Sequence, residues 1–205
     1  GKVIWKSQND RAAYAPPMMP KLAGVEQLIC FTGEALIGLD PQNGNLFWRR
    51  PIKTAFGRHA TAPVSHMDKD GDIVVVSSHQ AGMIAMQIKR QKNEVTAEEA
   101  WISKENAMNF ASGVAVGGYL YGLGPRKNLE CVDMATGKQT WSKEGYFQTS
   151  ADKSYGGFVV VGGKILCLTD GGLLVLFGAD PEKFEEFGQA QVCGANWCNP
   201  AYADG

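Results

Sequence analysis

Along this chain apolar residues fall in short runs, often alternating with polar ones, and each run is broken by Gly, Pro, Asn or Asp. "QLICFT", "ALIGLD", "DIVVVSS", "GMIAMQI", "YLYGL", "NLECVD", "GFVVVGG", "KILCLT" and "LLVLFG" are of this kind. Runs of that length, rich in β-branched and aromatic residues and bounded by turn formers, predict β-strands. A helical period is suggested only at "DPEKFEEFG" (180–188), where Phe184 and Phe187 fit either a short helical turn or a bulged hairpin.

The runs repeat. Trp5, Trp48, Trp101 and Trp141 are spaced 43, 53 and 40 residues apart, close to the period of about 40–50 residues of four-stranded propeller blades. Each interval holds about four strands, which we name inner, second, third and outer. The first has "APPMMPKL", "QLICFT", "ALIGLD" and "LFWRR"; later units follow the same order. The reading is an all-β, single-domain partial β-propeller over residues 1–205, with four-stranded antiparallel blades at 14–50, 60–104, 111–144 and 157–192. Partial blades are expected at 1–5 and 198–205. Residues 89–99, "KRQKNEVTAEE", are an insertion between third and outer strands, expected to be an elongated, solvated hairpin tip.

A common phrase joins third strand to outer strand: "IGLDPQNGNLFW" at 37–48 and "ECVDMATGKQTW" at 130–141. A short Asp side chain (Asp40, Asp133) accepts backbone N–H groups of the turn that follows it. Gly44 and Gly137 supply the positive φ that closes a bulged hairpin. Asn43 or Thr136 precedes the glycine, and four residues after it Trp48 or Trp141 lands on the outer strand, placed to pack against a neighbouring unit. Trp101 keeps the tryptophan, but Ala97 replaces the glycine and the Asp is lost across the insertion.

With these residues so placed, the sequence resembles the quinoprotein-type β-propellers, the PQQ-like repeat family, whose docking phrase is A-x-D-x-x-T-G-x-x-x-W. Residues 131–141 match with Cys131 in place of Ala. Residues 38–48 match with Gly38 there and Asn43 in place of Thr. In the fourth unit only "DPEKFEEF" survives, with Phe187 in line to stand in for Trp. The run "LVLFGADPEKFEEFGQAQV…WCNPAYADG" is similar to the last stretch of bacterial BamB-like members. The family forms larger rings, so the resemblance implies the C-terminal half of a longer propeller, and an open array is expected to self-associate. It also implies the cell envelope or periplasm as location.

Composition narrows the function classes. A formal net charge of −1 argues against nucleic-acid binding, which needs a basic stripe. No apolar run reaches the roughly 20 residues of a membrane-spanning helix. Cys30, Cys131 and Cys167 lie inside apolar strands as small buried hydrophobes. Cys193 and Cys198 flank "GANW" in a loop and are a candidate disulfide in an oxidising compartment. No CxxC, P-loop, G-x-S-x-G or H-E-x-x-H is present.

Propeller topology gathers the loops entering inner strands, and those joining second to third strands, on one face. That face would collect Arg11, Tyr14, Arg58, His59, His79, Asn109, Phe110, Arg126, Lys127, Tyr146, Asp152, Tyr155, Asp170, Asn196 and Trp197. From these we select Arg58, His59, His79, Asn109, Arg126, Tyr155, Asp170 and Trp197 as candidate binding residues for a protein or peptide partner, a polar–aromatic composition suited to that use. His66 belongs to the far end of its strand, so a three-histidine metal site with His59 and His79 is not expected. In dehydrogenase members the resemblance implies pyrroloquinoline quinone with Ca²⁺ or a lanthanide, held by carboxylates and an Asn, with a catalytic Asp, a stacked Trp and often adjacent cysteines. This chain has no adjacent cysteines, and Asp152 and Asp170 are isolated. The preferred reading is a non-catalytic interaction or scaffold module that needs no cofactor; the alternative is part of a quinoprotein alcohol or sugar dehydrogenase.

Overall fold

The computed structural model describes residues 1–67, 71–150 and 153–203. Among these there are seventeen strands and no helix. A small hairpin, β1 (Lys21–Leu22) with β2 (Val25–Glu26), precedes a three-stranded sheet of β3 (Leu28–Phe31), β4 (Ala35–Leu39) and β5 (Leu46–Pro51). The second sheet is β6 (Val64–His66), β7 (Asp72–Ser78), β8 (Gly82–Gln91) and β9 (Glu94–Ser103). The third is β10 (Val114–Val116), β11 (Tyr119–Leu123), β12 (Leu129–Asp133) and β13 (Gln139–Lys143). The fourth is β14 (Gly156–Val161), β15 (Lys164–Thr169), β16 (Leu173–Gly178) and β17 (Glu186–Gln191). Every pairing is antiparallel and sequential, and the inner strands β6, β10 and β14 lie in contact in that order. This is the arrangement of propeller blades.

There is no single core. Val74 and Val76 of β7 pack with Ile29, Leu36 and Trp48 of the first blade. Their neighbours Ile73 and Val75 face the third blade, meeting Leu120, Val132 and Met134. Between the third and fourth blades, Tyr121 and Cys131 meet Ile165, Cys167 and Phe177. Alternate side chains of one strand are thus buried at opposite interfaces, which is why the middle strands look continuously apolar in sequence.

The phrase behaves as its chemistry dictates. The Asp40 carboxylate accepts the Gln42 N–H (2.9 Å), and the Asp133 carboxylate accepts those of Ala135 (2.8 Å) and Thr136 (3.2 Å). Gly44 and Gly137 sit at φ +76° and +72°. A second demand on these glycines comes from the preceding unit. A Cβ on Gly137 would lie 2.6 Å from the Trp101 ring, and one on Gly44 2.6 Å from the Trp5 ring. Each indole N–H donates to a carbonyl of the turn it covers: Trp5 to Pro41 (3.0 Å), Trp101 to Met134 (2.9 Å) and Trp141 to Asp180 (2.8 Å).

Trp48 is the exception. The second blade has no such turn, because β8 and β9 continue as an elongated hairpin closed at Lys92 (φ +56°). Trp48 is instead buried in the interface, and its N–H donates to Gln27 Oε1 at 2.8 Å. Opposite each blade tryptophan stands a small residue: Gly38 pairs with Trp48, Ala85 with Trp101 and Cys131 with Trp141. A Cβ on Gly38 would come within 2.3 Å of the indole. The first position of the phrase is small because the ring lies across it, and Ala85 fills that role where the rest of the phrase is lost. A bulge follows at the same place in all four blades.

Two expectations are corrected. "APPMMPKL" forms no continuous inner strand; only Met18 bridges to Ile29, because Pro16, Pro17 and Pro20 lack the N–H a ladder needs. In the fourth blade Gly188, not Phe187, occupies the tryptophan place opposite Leu176. Phe187 is the extra residue of the bulge, half-exposed with the Lys164 ammonium 4.4 Å from its ring centroid. At the two ends of the array, Trp5 ties residues 1–5 to the turn at Pro41, and Cys198–Pro200 lie against Gly157 of β14.

Candidate functional site

One edge of the blades gathers the loops that enter inner strands and the turns between second and third strands, and hydrogen bonds tie them together. The Ala55 N–H donates to Gln80 Oε1 (2.7 Å), joining the loop before β6 to the β7–β8 turn. Asp170, in the β15–β16 turn, accepts the N–H groups of Gln148 and Thr149 (both 3.1 Å) from the loop before β14, and also the Thr149 hydroxyl. His66 lies on the opposite edge, its Nε2 beside Gly118.

Between the second and third blades this edge opens into a cleft of about 280 Å³. The loop before β6 contributes Thr54, Phe56 and Arg58; the β7–β8 turn contributes Ser78, His79 and Gln80; the loop before β10 contributes Asn109 and Phe110. The Arg58 guanidinium carbon is 4.6 Å from the Phe56 ring centroid. Among the described residues Arg58 forms no ion pair. Phe110 is also the link to a second group: its ring centroid is 5.6 Å from that of Trp197, which stacks on Tyr155 at 5.9 Å and an interplanar angle of 19°. Tyr155 donates its hydroxyl to Asn199 Oδ1 at 2.8 Å. Asn196 holds the loop carrying Trp197, its N–H on the Asp170 carbonyl and its amide on the Thr169 carbonyl, both 3.0 Å.

The structure therefore brings Arg58, His79 and Asn109 into one cleft, with Trp197 and Tyr155 adjoining it through Phe110. It removes His59 and Asp170 from the accessible set. His59 is fully buried, stacked on Phe31 at 4.1 Å, with Nδ1 on the Thr32 carbonyl at 2.5 Å. Burial holds its pKa below the usual value against the opposing pull of that hydrogen bond, so it is a neutral interior residue. Asp170 is buried with its carboxylate occupied by Gln148 and Thr149. Arg126 lies to the side, 3.9 Å from Glu144 after the outer strand β13. Asp152 falls outside the described residues. Cys193 and Cys198 are both exposed free thiols. Phe56 and Gln80 were not singled out in the sequence; the one available signal is Phe56 placed two residues before Arg58 in "TAFGRH".

Among the described residues no cluster of three or more His, Cys, Asp or Glu could hold a metal ion. No helix of the described chain is long and apolar enough to cross a membrane. The family model described as "Outer membrane protein assembly factor BamB" matches residues 1–143.

The chain belongs to this BamB-like family of PQQ-like β-propellers.

No match is found among curated proteins. Among solved structures, BamB from Moraxella catarrhalis is similar at 18% identity and a TM-score of 0.54, over 86% of this chain and 48% of that one. A quinohemoprotein alcohol dehydrogenase from Pseudomonas putida is similar at 14% identity and 0.61, over 96% and 36%. Raptor from Chaetomium thermophilum is similar at 9% and 0.62, over 92% and 18%. The BamB-like chain thus spans about half the length of the Moraxella protein. Likeness at these identities shows a shared propeller and carries no activity with it.

Proposed function

We propose that this BamB-like propeller is a non-catalytic protein-interaction module of the cell envelope, which meets its partner through the loop edge of the second to fourth blades. The family's description as an outer membrane protein assembly factor supports both the class of work and the location. The observation that carries the reading is the makeup of the cleft. Arg58 and His79 line it together with exposed Phe56, and exposed Trp197 adjoins it beyond Phe110. Rigid aromatics with an adaptable cation are the usual makeup of a partner site.

Among the described residues of this edge no convergent donor set favours the quinone reading. A multi-carboxylate cofactor with a divalent ion needs several carboxylate and amide oxygens converging on one point. Asp170, the described acidic residue selected on this edge, is buried and already engaged by Gln148 and Thr149.

A photo-crosslinking amino acid at position 197 of the full-length protein, expressed in its own envelope, tests the proposal. Crosslinks to another protein are expected from position 197 and not from position 66 on the opposite edge. Equal crosslinking from both, or dye reduction by the full-length protein after addition of the quinone and Ca²⁺, would overturn it.

A further inference from the structure

Although the whole chain is slightly acidic, the described residues exposed on this edge are mostly basic from residue 52 onward. They are Lys53, Arg58, Lys104, Arg126 and Lys153, against Glu105 and Glu144, with Glu144 3.9 Å from Arg126 and the Asp170 carboxylate buried beneath. Within that surround Arg58 is held by the Phe56 ring, which limits the rotamer freedom lost on binding. His79 lines the same cleft. The cleft volume of about 280 Å³ lies just below the range of about 300–1,000 Å³ of pockets that enclose a whole small molecule, and suits one or two side chains of a longer ligand. Beyond its Phe110 wall stands Trp197, 55% exposed, with Phe56 66% and Tyr14 77% exposed on the same edge. These are large apolar surfaces of the kind that mark a docking site.

We infer that this site takes an extended peptide segment of a protein partner that bears a carboxylate side chain and, two residues on, an aromatic one. The carboxylate seats in the cleft on the Arg58 guanidinium, where a fork-to-fork contact is available, with His79 beside it. In an extended chain residues i and i+2 point the same way, roughly 7 Å apart. The aromatic side chain then lies over Phe110 and against the Trp197 ring, whose centroid is 5.6 Å from that of Phe110. Tyr155, stacked behind Trp197, keeps the platform flat. The inference rests on the interaction-module reading and adds the chemistry of its partner.

The test titrates the protein with acetyl-Gly-Glu-Ser-Phe-Gly-amide and with the same peptide carrying Gln for Glu, following the backbone amide signal of His79, which lines the cleft, by NMR. The Glu peptide is expected to shift that signal at roughly millimolar concentration, and the Gln peptide to bind about tenfold more weakly. Added salt should weaken the Glu peptide alone. Arg58→Gln should erase the difference between the peptides, Trp197→Ala should weaken both, and Lys164→Gln on the far edge should change neither. Equal binding of the two peptides, no binding of either up to roughly ten times that concentration, or an Arg58→Gln protein that still prefers the Glu peptide would each overturn the inference. Crosslinking from position 197 in the envelope separates the two ideas. Crosslinks without a preference for the acidic peptide leave the interaction module standing and remove this ligand; the loss of crosslinks removes the module itself.

Discussion

Glu130 offers the sharpest test of how the blade interfaces are built. It lies on β12 in register with Gly122 and Ser142, and it is fully buried. Its Oε2 accepts from Gln139 Nε2 (2.6 Å) and Asn128 Nδ2 (3.4 Å), while Oε1 has no partner. Burial raises its pKa from the ordinary 4.5 to about 7, against the smaller opposing effects of Gln139, Asn128 and the Arg126 charge. A carboxyl with a raised folded pKa binds its proton more tightly in the native state. Its contribution is therefore fully present below pH 4.5 and is lost as pH rises through about 7. A shift from 4.5 to about 7, at about 1.4 kcal/mol per unit, amounts to about 3 kcal/mol. Glu130→Gln keeps an oxygen for Gln139 and removes the ionisation. The variant should match the parent near pH 4.5 and gain on it steadily, reaching an advantage of about 3 kcal/mol at pH 8. For a chain of this size that is roughly 6–12 °C in Tm. Thermal or urea unfolding of both proteins from pH 4.5 to 8.5 measures it, because other titrating groups cancel in the difference. A gap that does not change with pH, or a Gln variant that is weaker at pH 8, would show that the burial argument is wrong.

The remaining predictions concern other parts of the frame. Trp101→Ala and Trp141→Ala should each destabilise by about 3–5 kcal/mol, measured by urea unfolding, since each ring covers the next blade's turn. Gly137→Ala should be more damaging than an ordinary surface Gly→Ala, because the methyl meets both a positive φ and the Trp101 ring; equal stability to the parent would count against the docking geometry. Thiol titration of the native protein should label Cys193 and Cys198 rapidly and leave Cys131 and Cys167 unreactive until unfolding, since burial raises the latter two thiols. Sedimentation of residues 1–203 should show concentration-dependent association, given Val160, Phe187 and Val192 exposed on the fourth blade; a clean monomer at high concentration would refute this.

Sequence by itself determined the blades. The spacing of Trp48, Trp101 and Trp141, the Asp–Gly turns and the short apolar runs each act through local chemistry, and local chemistry is written in consecutive residues. The elongated β8–β9 hairpin was legible for the same reason. Other features depend on groups distant along the chain. Gly137 is required as much by Trp101, in the previous blade, as by its own turn, and Ala85 keeps the small position opposite that tryptophan although the phrase around it has gone. The candidate site divides in the same way. Loop topology brought the right segments to one edge, but a loop histidine or aspartate looks alike whether it faces solvent or the interior. Burial took His59 into a stack on Phe31 and engaged Asp170 with Thr149, while Arg58, His79 and Asn109 converged on a cleft and Trp197 settled beside Phe110. Which polar side chain stays accessible is decided by how neighbouring blades close over it, and that is a property of the tertiary structure alone.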